Sequence, residues 1–325
     1  MKIVYMGTPD FAVGPLEALI AAGHTVTAVV TQPDKAKGRS KKLIETPVKV
    51  CAMKYDIPVF QPVKIKAPEA VEILKSYEAD IYVVAAFGQI LSQEILDIPR
   101  YGCLCIHASL LPAYRGAAPI NWAILNGEKE TGVTIMQMDA GIDTGDMLLK
   151  AAVEIEEQDT DVSLFDKLEK AGSRLIVEAL QKLEKGELVP IKQDDAQSSY
   201  ARMLNKAMGE IDWNESAAVI DRKVRGLYSW PGAYTFYQGK MLKIWQAKPV
   251  LSAVQENSEK TPAEAACENE TAQPGCVYQV TKDSVEICTG EGRLKLLEVQ
   301  LEGKKRMAVK DFLLGCKMGK GEKLG

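Results

Sequence analysis

The sequence predicts an N-terminal α/β domain on a mostly parallel sheet with helices on both faces, followed by a small C-terminal β-barrel. Three observations carry this expectation. At 325 residues the chain is long for one core and fits two domains. Its first half alternates short apolar runs with helical patterns, and the run over 80–86 is almost wholly apolar, as in a strand covered on both faces. Its second half, after Trp230-Pro231-Gly232, reads as short strands punctuated by Gly239, Gly275, Gly290 and Gly292.

The elements follow in order. Ile3-Val4-Tyr5-Met6 is a short buried strand that breaks at Gly7-Thr8-Pro9-Asp10. A helix over 11–22 stops at Gly23, and a second strand runs over 26–30. Pro68 starts a helix over 67–77, and further strands span 80–86, 103–106 and 133–138. The clearest helix spans 163–186, with Leu164, Leu168, Ala171 and Leu175 on one face, Ser163 as its cap and Gly186 as its end. These alternating elements read as a Rossmann-like catalytic domain over 1–190. A polar linker is expected over 191–208. A helix over 215–227 then opens an OB-like domain over 209–325, with strands at 233–237, 242–247, 277–280, 285–288 and 294–299. The stretch 252–274, rich in Glu, Ala and Thr, reads as a mobile insertion in that barrel.

Bulk composition narrows the classes. Hydrophobic residues make up 46% and charged residues 26%, as in an ordinary soluble globular protein. The N-terminal apolar run is too short for a signal peptide. No stretch approaches the roughly 20 apolar residues that span a membrane. Seven cysteines, odd in number and without zinc-ligand spacing, read as free thiols in a reducing cytoplasm, with no metal site. The net charge of −4 argues against a generally basic nucleic-acid binder. Charge is uneven, however. Lys35, Lys37, Arg39, Lys41, Lys42 and Lys49 crowd one loop against Glu45, and a second basic cluster lies in the C-terminal tail. A dense local patch suits phosphate contacts, although a plain solvated loop has the same composition.

The chemistry concentrates between Gly102 and Asp146. His107, one of two histidines, ends an apolar run. Ligands of open α/β sheets bind beyond the carboxyl ends of strands, and imidazole suits proton transfer near neutral pH. A second run ends in a loop carrying Asp139, Asp143 and Asp146. Two strand ends presenting a histidine and a carboxylate could build an acid/base site, with one carboxylate orienting the imidazole. The acidic loop does not fit a calcium site, because its twelfth position is Lys150. Gly7-Thr8-Pro9-Asp10 lacks the remaining glycines of a dinucleotide fingerprint, so no nucleotide cofactor is expected.

With these residues in place, the chain resembles the folate-dependent formyltransferase family over nearly its whole length. The segments that carry the resemblance are Gly7-Thr-Pro-Asp-Phe-Ala12, Thr31-Gln-Pro-Asp34 with the basic loop, Pro58-Val-Phe-Gln-Pro62, Ser109-Leu-Leu-Pro112, Arg115-Gly-Ala-Ala-Pro-Ile120 and the run from Met136 through Asp146. That last run and the β-rich second domain favour the tRNA-directed branch. The resemblance implies transfer of a formyl group from 10-formyltetrahydrofolate to the amino group of methionine on initiator tRNA, by a cytoplasmic monomer. It implies that His107 and Asp143 share the proton chemistry. It further implies that folate is held by Ser109, Leu110, Leu111 and Pro112, by Phe87, Gly88, Ile90 and Leu91, and by Asp139 and Gly141. Lys35, Lys37, Arg39, Lys41 and Lys42 would meet the tRNA, with Arg39 at the position of the family's key arginine.

One position departs from the family's Asn-x-His pattern: Cys105 stands where the asparagine belongs. A thiol donates to an oxyanion far more weakly than an amide, and one lost donor can cost about 100–1,000-fold in rate. The enzyme could be slow, a backbone N–H or water could replace the amide, or Cys105 could be a reactive thiolate. An active enzyme with compensation is the preferred reading. The rivals are an amino-sugar-nucleotide formyltransferase and a folate- and tRNA-binding homologue impaired in catalysis.

Overall fold

The computed structural model describes residues 1–37, 42–250 and 273–325. The expected insertion over 252–274 therefore lies outside the described residues except for its last two. The chain divides into two compact units. The first comprises Met1–Ile120, Lys129–Ile155 and Ser163–Arg202, and the second Asn121–Glu128, Glu156–Val162 and Met203–Gly325.

The sheet of the first unit is built from β1 (Lys2–Gly7), β2 (Thr25–Val30), β5 (Val59–Phe60), β6 (Ile81–Ala85), β7 (Cys103–His107), β9 (Glu130–Gln137) and β10 (Met147–Glu154). Their order is β10-β9-β7-β6-β1-β2-β5. The strands from β5 to β7 pair in parallel, and β9 and β10 are added antiparallel at the other edge. Val4, Met6, Ala28, Val30, Tyr82 and Val84 pack into one core cluster, while the alternate residues Ile3, Tyr5, Val29, Ile81 and Val83 are also fully buried. Both faces of the central strands are thus covered, which explains why their sequences do not alternate. Around them run α1 (Val13–Ala21), α2 (Pro47–Lys54), α3 (Pro68–Ser76) and α4 (Gln93–Leu96). Next come α5 (Pro119–Asn126) and α6 (Asp161–Lys185).

Three local expectations change. Helix α6 begins at Asp161, so Ser163 lies inside its first turn and cannot be its cap; Gly186, at φ +70°, does end it. The basic segment is not one loop. Its ends form a hairpin, β3 (Lys35–Lys37) with β4 (Lys42–Ile44), and Lys49 belongs to α2, whose cap is Thr46. Residues 191–202, placed by the sequence in a linker, pair within the first unit: Ile191 bridges Met147, and β11 (Tyr200–Ala201) pairs in parallel with β8 (Arg115–Gly116).

In the second unit, α7 (Ala217–Gly226) is capped by Ser216, whose Oγ accepts from the Val219 N–H. It buries Ala217, Ile220 and Val224 against an antiparallel sheet. The strands are β12 (Ala233–Tyr237), β13 (Lys240–Val250), β14 (Val277–Val280), β15 (Val285–Cys288), β16 (Arg293–Leu301) and β17 (Met307–Ala308), with α8 (Val309–Gly315) after them. Their order is β12-β13-β16-β15-β14, with β17 on β16. The final residues join the two ends of that order. Gly325 N–H donates to Phe236 C=O at 3.0 Å, and Leu324 N–H donates to Gly275 C=O at 2.9 Å.

Candidate active site

His107 is the last residue of β7 and is 6% exposed. Its Nε2 lies 3.0 Å from the Tyr114 carbonyl, and its Nδ1 lies 3.5 Å from Asp143 Oδ2. Each ring nitrogen therefore has an oxygen beside it. Tyr114 at φ +61° and Asp143 at φ +54° both occupy the left-handed region, which is uncommon for residues with a side chain. Such backbone persists where surrounding structure over-determines it, often at functional sites.

The two strand ends do not lie side by side. Strand β9 is antiparallel to β7, so Gln137 stands opposite Leu104 and the Met138 N–H donates to Cys103 C=O at 2.8 Å. The acidic loop therefore leaves the sheet near the start of β7, and it returns to bring Asp143 to His107. A uniformly buried strand carries no signal of its direction in its sequence, which is why the arrangement was not legible there. Of the three aspartates, Asp143 is the one facing His107. Its Oδ2 also accepts from the Gly116 N–H at 2.8 Å. Asp139 shapes the loop instead, accepting from the Gly141 N–H at 3.0 Å and from Thr144 Oγ1 at 2.7 Å. A Cβ on Gly141 would stand 1.9 Å from Thr144 Oγ1, and one on Gly145 would stand 1.7 Å from Gln137 C=O. The fold of this loop requires both glycines.

The turn after His107 is pinned by its neighbours in the sheet. Ser109 Oγ donates to Ala113 C=O at 2.6 Å, and Thr134 Oγ1 donates to Ser109 C=O at 2.7 Å and accepts from the Leu111 N–H at 3.1 Å. Lys150 Nζ, whose pKa burial lowers, donates to Leu111 C=O. Ser109 and Leu111 are fully buried, so their side chains build the turn. The same holds on the β6 side. Phe87 and Leu91 are 2% and 4% exposed and belong to the sheet core, while Ile90 is 62% exposed. The Phe87 carbonyl accepts from Thr8 Oγ1 at 2.9 Å and Gln32 Nε2 at 3.2 Å, and Gly88 follows at φ +82°. A ligand here would meet Ile90 and main chain, with Phe87 and Leu91 as support.

Cys105 packs with Leu111, Met136 and Met147, and Met138 lies against them. Burial pushes its thiol pKa well up, and the charge of Asp143 adds to the effect. A thiol kept protonated in an apolar cluster is not a nucleophile, so the reactive-thiolate reading is withdrawn. Cys51, Cys103, Cys105, Cys276 and Cys316 are free. Among the described residues, no group of three or more His, Cys, Asp or Glu could hold a metal ion, and no helix is long and apolar enough to cross a membrane.

In the basic segment, Lys35 is exposed, while Arg39 and Lys41 lie outside the described residues. Lys37 and Lys42 pair across the hairpin backbone. Lys49 pairs with Asp34 at 2.6 Å and Glu45 at 3.1 Å. Hydrogen bonds from Lys49 and Gln61 lower the Asp34 carboxyl pKa.

Sequence reading gave no role to Thr134, Lys150 or Gln193, and none to Arg115 beyond its place in a motif. Arg115 was flagged by its position beside Ser-Leu-Leu-Pro. Gln193 sat in a polar stretch without periodicity, where nothing marks one amide above its neighbours.

The fold and this site define an α/β domain with a candidate acid/base pair, and the chain belongs to the formyl transferase family. That family matches residues 1–180, and its C-terminal domain matches residues 203–317. Among relatives, the methionyl-tRNA formyltransferase of Agathobacter rectalis is 49% identical over 321 residues, covering 99% of this chain and 98% of that protein. The methionyl-tRNA formyltransferase of Lachnospira eligens is also 49% identical, covering 100% of both chains. In fold, the chain is similar to an N-formyltransferase from Helicobacter canadensis solved with folinic acid and dTDP-3-aminofucose. The TM-score is 0.65 at 18% identity, covering 94% of this chain and 100% of that one.

Proposed function

We propose that this protein transfers the formyl group of 10-formyltetrahydrofolate to the amino group of methionyl initiator tRNA, acting as a cytoplasmic monomer. The observation that carries the reading is His107 at the end of β7, with the Asp143 carboxylate at one ring nitrogen and the Tyr114 carbonyl at the other. The full-length relatives named for this reaction support it.

The amine attacks the formyl carbon, forming a C–N bond and a tetrahedral oxyanion. As the intermediate collapses, the bond to the folate nitrogen breaks. The amine must lose a proton and the folate nitrogen must gain one. His107 is the group that carries this proton and steadies the oxyanion, and Asp143 stabilises its charged form. Cys105 supplies no amide, so His107 bears more of the oxyanion charge than in relatives with asparagine there. The folate lies between the turn at Ser109–Pro112 and the segment from Phe87 to Leu91. The basic hairpin, with Lys35, Lys37, Arg39, Lys41 and Lys42, receives the tRNA.

The test is incubation with methionyl initiator tRNA and 10-formyltetrahydrofolate, reading formyl-methionine. Product is expected, and its formation should weaken when Arg39, Lys41 and Lys42 are neutralised together. Absence of product where a control enzyme works overturns the reading. Formyl-methionine formation that neutralisation leaves unchanged overturns the hairpin as the tRNA site, and formylation of an amino-sugar nucleotide in place of the tRNA points to the small-substrate rival.

A further inference from the structure

We infer that Gln193 is a positioning residue for Asp143, holding the returning loop at the distance from His107 that the reaction requires. This rests on the proposed formyl transfer, and it deepens that reading. The Gln193 amide nitrogen donates to two main-chain carbonyls of the loop, Asp143 C=O at 2.8 Å and Gly145 C=O at 2.8 Å. Its amide oxygen accepts from Arg115 Nε at 3.0 Å. Both donor hydrogens and the acceptor are therefore engaged. Arg115 is 2% exposed, and its guanidinium also reaches Asp195 at 2.8 Å. The next residue, Gly116, donates its N–H to the Asp143 carboxylate.

Asp143 is thus gripped at both ends. Gly116 holds the carboxylate, Gln193 holds the main chain, and Arg115 ties Gln193 to the strand that carries Gly116. The grip matters because the loop's own bonds, from the Gln137 N–H to Asp146 C=O at 2.9 Å and from Gly141 and Thr144 to Asp139, close its base and shape its first residues but do not involve Asp143. Asp143 has a left-handed backbone, and residues 139–142 before it are exposed. The loop also leaves the sheet at the far end of β7 from His107. A hydrogen-bonding clamp is what sets its return, and misplacement of a catalytic group by 1 Å can cost about 100-fold in rate.

Two substitutions separate this role from a merely structural one. Gln193→Glu keeps the length and the acceptor for Arg115 but loses the donors to the loop carbonyls. Gln193→Met loses both. Each should lower kcat by about 10- to 100-fold, with KM for both substrates changed by less than about twofold. In an Asp143→Asn background, Gln193→Met should add less than about twofold, because both act through one carboxylate. A Gln193→Glu variant with wild-type kcat would mean that the residue serves Arg115, and a multiplicative double mutant would mean that it acts elsewhere; either overturns the inference. The chain has two histidines, so the imidazole resonances give a readout free of turnover. The His107 signal should move in both Gln193 variants while that of His24 stays. An unmoved His107 signal overturns the inference even if the wild type proves inactive, an outcome that would count against the proposed reaction separately.

Discussion

Two segments meet at His107, and they hold their shapes by different means. The turn over 108–115 is largely buried and is fixed from beneath by the sheet, through Thr134 and Lys150 and the fully buried Leu111. The loop over 138–146 is polar, exposed from 139 to 142, and tied down at Asp143 by the Gly116 N–H donating to its carboxylate and the Gln193 side chain donating to its carbonyl. The first is a by-product of packing, so its geometry is as firm as the core. The second can be displaced at little cost to stability, because few apolar contacts depend on it. The site therefore couples one group that is rigid with the fold to another whose placement rests on a few hydrogen bonds.

The largest expected effect separates the two segments by stability. Leu111→Ala removes a fully buried side chain that packs on Met136 and Met147. It should cost about 2–5 kcal/mol of unfolding free energy, read by denaturant titration, and should lower activity along with it. If activity fell with stability intact, the turn would not be held by packing, and the contrast would fail.

Asp143→Asn addresses the loop, with the next largest effect. Asparagine tolerates a left-handed backbone and keeps an acceptor for the Gly116 N–H, so only the charge facing His107 is lost. We expect kcat to fall by about 100-fold with the thermal midpoint unchanged. A large drop in the midpoint would show that the carboxylate is a structural anchor, and the two segments would then be alike.

The same contrast governs how much could be read from the sequence. The parallel strands were legible because burial on both faces leaves continuous apolar runs, as at Ile81–Ala85. The expected strands at 277–280 and 285–288 coincide with β14 and β15, since glycine turns bracket them. His107 and Asp143 were legible through motif resemblance, and the structure brings them together. The direction of β9, the return of the acidic loop and the clamp by Gln193 were not. Each depends on bonds between residues far apart in sequence: 50 positions separate Gln193 from Asp143. Helix α6 shows the same limit at small scale. Its apolar spacing located the helix, but Asp161, not Ser163, begins it.

Cys105, on β7, is expected to give the smallest effect. Replacing it with asparagine restores the family's amide beside His107 but places it against Leu111, Met136 and Met147, which offer no strong partner. An amide left unsatisfied there costs about 1–3 kcal/mol, so the Cys105→Asn protein should melt at a lower temperature. Its kcat should nevertheless rise, by less than about tenfold, because His107 already stabilises the oxyanion and the new donor only assists it. Appearance of activity from an undetectable wild type would instead make this chain a binding homologue. The same position has a chemical test. Burial holds the thiol protonated, so iodoacetamide at pH 8 should leave Cys105 unmodified in the folded protein and label it once the protein is unfolded. Rapid labelling in the folded state would mean that the thiolate forms after all, and the sulfur would then compete with the substrate amine for the formyl carbon.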